Sequence, residues 1–96
     1  MRYFHRTSLA PDDVLTAADS HLGSHLQMVE SGNRFRTFEG TLGRIELNVQ
    51  AEGGHYTLIT LKTDQVGESE LDKLGKGFLT VVHTKAKPEH QARGAY

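Results

Sequence analysis

His21 and His25 stand four residues apart. On a helix that spacing places two imidazoles on one face, where they can share a transition metal if one or two further ligands arrive. His5, Glu39 and His55 are the residues available to complete the set. Position 22 is leucine and no glutamate falls within the pair, so the HExxH pattern of zinc hydrolases is absent. A packing role competes with ligation: His25 buried, neutral and bonded to a sheet hydroxyl such as Thr60 or Thr57, with His21 at the helix edge. We favour packing, and keep His21, His25 and His5 as the candidate ligand-binding residues, with His21 and His25 as the candidate metal pair. The residues name no cofactor. No serine or cysteine nucleophile is placed by a recognisable motif, and there is no phosphate loop or dinucleotide glycine fingerprint, so enzyme activity is the weaker expectation.

The element that must carry the two imidazoles is an amphipathic helix expected over Pro11 to Glu30. At about 100° per residue, Val14, Leu15, Ala17, Ala18, His21, Leu22, His25, Leu26, Met28 and Val29 share one half of the wheel. Pro11 suits a first helical turn, Asp12 and Asp13 complement the positive end of its dipole, and Ser8 is the candidate N-cap. Gly32 can supply the terminating residue. Gly23 costs about 1 kcal/mol against alanine inside a helix. An earlier end, with a short second segment, is therefore the alternative.

Elsewhere the period is two. Residues 2–9 alternate as a strand, and so do 34–39, 44–52 and 55–64, with Gly40-Thr41-Leu42-Gly43 and Gly53-Gly54 turning the last three into an antiparallel meander. A two-residue Gly53-Gly54 turn pairs Val49 with Leu58, and a three-residue turn that includes His55 pairs Val49 with Ile59. Either way Tyr56 and Leu58 point to one face while Ile59 and Leu61 point to the other. A second helix runs from Leu71 to Val82, started by Ser69-x-x-Asp72 and stopped by Pro88, with Gly75 allowing close approach to the sheet. The expected fold is a two-layer α+β domain over residues 1–85, ordered β-α-β-β-β-α, with two helices on one face of a four-stranded antiparallel sheet. Residues 86–96 form a C-terminal tail. The face away from the helices then carries Tyr56, Leu58 and Phe38 as an apolar patch.

Composition narrows the function classes. Eleven basic and twelve acidic residues give a net charge of −1 without a basic block. That excludes the electrostatic footprint of a nucleic-acid binder. Arg34, Arg36, Arg44 and Lys62 form a stripe, but Glu46 and Glu52 interrupt it. No apolar run approaches the ~20 residues that span a bilayer, and no leader is expected, so we anticipate a cytoplasmic protein without membrane insertion. The chain contains 0 cysteines, which removes disulfides and thiolate chemistry. For 96 residues the core is thin. Oligomerisation would support it.

Tyr3-Phe4-His5-Arg6-Thr7-Ser8-Leu9, followed by Ala10-Pro11-Asp12-Asp13-Val14-Leu15, is similar to the first strand and the small-Pro-acidic-acidic-Val helix opening of the helix-grip group. The chain resembles a shortened member of that group, whose larger relatives are the START and polyketide-cyclase-like proteins. The segment Leu71 to Val82 matches the group's terminal helix in position and type. The resemblance implies the layout of residues 2–85 and transfers no catalytic residue. The expected function is a non-enzymatic accessory protein that self-associates or docks into a larger assembly through its sheet face. The alternative is a small-ligand or metal binder using His21 and His25.

Overall fold

Side-chain alternation starts with the first strand, β1 (Arg2–Thr7), where Tyr3, His5 and Thr7 turn inward and Arg2, Phe4 and Arg6 turn outward. In the computed structural model, which describes residues 1–86, β1 is followed by α1 (Pro11–His21), β2 (Gln27–Ser31), β3 (Phe35–Gly40), β4 (Gly43–Glu52), β5 (Tyr56–Thr63) and α2 (Glu70–Ala86). The strands form one antiparallel sheet in the order β1-β5-β4-β3-β2, with both helices on the same face. The sheet has five strands, not the expected four. Apart from Ala86 at the end of α2, the expected tail lies outside the described residues.

The extra strand comes from the second half of the expected helix. Residue 10, not Ser8, occupies the N-cap, with no side-chain cap on Ala10. At the other end Gly23 donates to the Ala18 carbonyl at 3.3 Å, and Ser24 Oγ closes on the His21 carbonyl at 2.8 Å. A Cβ on Gly23 would lie 2.2 Å from the Asp19 carbonyl oxygen, so the chain turns here on a residue without a side chain. Leu22 and Leu26 stay in the core, and β2 then pairs with β3 through a bulge between Met28 and Glu30. All five residues of β2 are exposed, as befits an edge strand.

The remaining turns set the register. Gly53 and Gly54 adopt φ of +60° and +75°, conformations that favour glycine, and Glu52 pairs with Tyr56. His55 therefore belongs to a three-residue turn, and Val49 pairs with Ile59. Ser69 Oγ accepts from the Asp72 amide at 3.1 Å and caps α2. Gly75 faces Leu61, where a Cβ would come within 2.9 Å of a leucine methyl. Between the layers, Val14, Ala18, Leu22, Phe78 and Val82 meet Phe38, Ile45, Leu47, Ile59 and Leu61, all without solvent exposure. No helix among the described residues is long and apolar enough to cross a membrane.

Candidate functional site

The three candidate imidazoles separate into two neighbourhoods. His21 closes the last turn of α1, half-buried, with its ring centre 6.3 Å from that of His25 and 6.3 Å from Phe78 on α2. Burial, then the nearby His25, holds its pKa below the ordinary imidazole value. His25 is exposed in the turn after α1, because the helix stops before the wheel can carry it inward. Neither expected hydroxyl holds it: Thr57 donates to the Leu9 carbonyl at 2.7 Å, and Thr60 lies on the opposite face of the sheet. His5 sits under α2 instead, 6.2 Å ring to ring from His83, with its Nε2 buried and lacking a hydrogen-bond partner. Its pKa is also lowered, by burial first and by His83 second. Glu39 is engaged with Arg44 at 2.6 Å, and His55 is exposed in the β4–β5 turn. No group of three or more histidine or carboxylate side chains among the described residues is placed to hold a metal.

His21 nevertheless occupies the middle of a groove. Leu9, Asp13, Ala17 and His21 meet Val81 and Lys85 around a cleft of about 590 Å³. Toward the other end, His21 and His25 meet Glu70, Lys73, Leu74 and Gly77 around a second cleft of about 320 Å³. The start of α1 thus lies beside the end of α2 and the reverse, so the helices run antiparallel with His21 between the two clefts.

One polar cluster was not foreseen. Asp72 has no exposed surface, yet it accepts from the Tyr3 hydroxyl at 2.5 Å and the Glu68 amide at 3.0 Å, and pairs with Lys76 Nζ at 3.2 Å. Lys76 also lies 5.4 Å from the centre of the Tyr3 ring. The Tyr3 hydrogen bond holds the Asp72 pKa down, while the bond to Asp72 raises those of Tyr3 and Lys76. Each group is thereby fixed in its resting ionisation state. The Tyr3–Asp72 hydrogen bond ties β1 to α2, so the trio works as a clamp between the two elements. The sequence showed Ser69-x-x-Asp72 only as a helix cap.

The other chemically distinct surface is the helix-free face of the sheet. Register places Phe4, Thr60, Asn48 and Phe35 in one row across it, with Arg2, Lys62, Glu46, Thr37 and Glu30 in the next. Phe4 is 64% exposed and Tyr56 56%, while Leu58 and Phe35 are half-buried. Phe38, expected in this patch, is completely buried on the helix side, where it packs in register with Ile45. Phe35, which points the other way, takes its place. Leu58 lies opposite Arg6 and diagonal to Phe4, within reach of a ring. No family model, curated protein or solved structure matches this chain.

Proposed function

We propose that this domain is a non-enzymatic interaction module, a small accessory subunit or self-associating protein, whose working surface is the helix-free face of the sheet. The supporting observation is the placement of Phe4 and Tyr56, largely exposed on a face that neither helix covers, beside half-buried Leu58, with half-buried Phe35 on the same face three strands from Phe4. Removing roughly 100 Å² of aromatic surface from water contributes about 2.5 kcal/mol to association. Neither exposed ring belongs to the internal core. The fold should therefore tolerate the double variant Phe4→Ser with Tyr56→Ser while association is lost. Light scattering over a wide concentration range, with native mass spectrometry of the protein taken from its host, tests this. A strict monomer without a companion, or a complex indifferent to the double variant, overturns the reading.

The interhelical groove favours a second reading, a small-ligand site centred on His21 with His25 at its rim. Replacing both residues with leucine should then abolish any ligand retained in native mass spectra. Unchanged retention assigns the two rings to packing alone.

A further inference from the structure

The helix-free face divides into two halves of opposite charge along the boundary between β4 and β5. From β1 and β5 come Arg2, Arg6 and Lys62 with no acid, and from the other three strands come Glu30, Glu39, Glu46 and Glu52 against Arg44. Some of this charge is met internally, since Arg6 pairs with Glu52 at 2.7 Å and Arg44 gathers Glu39, Glu46 and Glu30. Arg2 and Lys62 have no ion pair among the described residues. Although Glu46 is opposite Lys62 in register, its carboxylate lies 3.8 Å from Arg44.

We infer that the partner for this face is a second copy of the chain, packed face to face about a two-fold axis that runs parallel to the strands along the β4–β5 boundary. This rests on the sheet face being a docking surface. In a two-fold pair every contact is reciprocal. An axis across the strands lays β1 on β1 and basic side chains on basic ones. An axis parallel to the strands exchanges the halves, so the basic half of each copy covers the acidic half of the other. Placing it between β4 and β5 carries β5 onto β4 and β1 onto β3 without changing height. The observed rows then fix the contacts. Lys62 of one copy lies over Glu46 of the other, Thr60 over Asn48, and Phe4 over Phe35. Moving the axis onto β4 would set Glu46 against Glu46 and leave Phe4 without a ring. Four strands overlap, since β2 extends past the partner's β1, and at ~4.8 Å between strands with about six residues of ~3.3 Å each they give roughly 400 Å² of flat face per copy. The total of roughly 800 Å² falls in the range of weak, transient interfaces, so the dimer is reversible and dependent on concentration.

The absence of cysteine makes single-cysteine variants unambiguous. Phe4→Cys and Phe35→Cys proteins are mixed in equal amounts and treated with a bis-maleimide of roughly 10 Å reach, the spacing of stacked sheets. Lys62→Cys with Glu46→Cys provides a second pair that leaves both phenylalanines in place. Crosslinks between the two different variants should exceed those between identical ones several-fold in the Phe4/Phe35 mixture, where like positions stand three strands apart across the axis. In the Lys62/Glu46 mixture like positions stand only one strand apart, so unlike and like pairs should both crosslink, and Glu46→Lys should weaken dimerisation more than tenfold at low salt. A dimer in which identical variants of the Phe4/Phe35 mixture crosslink most strongly overturns this two-fold arrangement but keeps the sheet face as the docking surface. A wild-type chain that is monomeric throughout, yet loses a different protein partner on Phe4→Ser with Tyr56→Ser, overturns the second copy alone. A dimer unaffected by any substitution on this face overturns both readings.

Discussion

Asp72 is the residue whose environment most constrains its chemistry: buried, ionised, and the common acceptor for a side chain of β1, a backbone amide and a lysine one helical turn away. Truncating it leaves the Tyr3 hydroxyl and the Glu68 amide without their acceptor. Both bonds are part-buried, and fully buried donors left unpaired carry a cost of about 1–3 kcal/mol, so Asp72→Ala should lower the unfolding free energy read from denaturant titration by up to that amount, and Tyr3→Phe by less. The lowered Asp72 pKa means its stabilisation is complete above the ordinary carboxylate range and is lost as pH falls through the folded value. His5 and His21 act in the same direction at milder pH, because burial disfavours their charged forms. Both states are neutral above about pH 6.5, and below it the unfolded chain binds protons first, so stability declines. Melting temperature should therefore fall between roughly pH 7 and pH 5, and His5→Leu should flatten that decline while changing little at higher pH.

At the scale of elements, the decisive event is the end of α1. If residues 11–30 were one helix, Gly23→Ala would stabilise the protein by about 1 kcal/mol. In the turn, the added Cβ would meet the Asp19 carbonyl oxygen at 2.2 Å, so the same substitution should destabilise it by about 1 kcal/mol or more. The sign of that change, read from chemical unfolding, decides between the two. The sequence made β1, β3 to β5 and α2 legible because each buries one face and so shows a clear period. It concealed β2 because an edge strand exposed along its whole length has no buried period, while Leu22, Leu26, Met28 and Val29 also satisfy a helical wheel. The site readings failed at the same point. The wheel carried His25 inward only while the helix continued, and Phe35 and Phe38, an odd number of positions apart, face opposite sides of the sheet. Asp72 was visible as a cap, but its tyrosine partner is 69 residues away, a distance that local periodicity does not span.

The described residues share one two-layer core, and neither helix covers the other side of the five-stranded sheet. For a chain with so little interior, association on that side is also a source of stability, because a dimer that binds only the folded form shifts the unfolding equilibrium by mass action. At a protein concentration about tenfold above the dissociation constant the gain is about 1.4 kcal/mol, which in a domain near this size raises the melting temperature by roughly 6–11 °C. Calorimetry of the wild type should show melting temperature climbing with protein concentration. Salt should diminish the climb, since the pairing of Lys62 with Glu46 across the interface is screened over about 10 Å at moderate ionic strength. Glu46→Lys should suppress it, and so should Phe4→Ser with Tyr56→Ser, with each variant melting near the dilute wild-type value. A melting temperature that stays constant across concentration would show that the exposed rings are tolerated in water by the monomer, and the sheet face would then contribute nothing to stability through association.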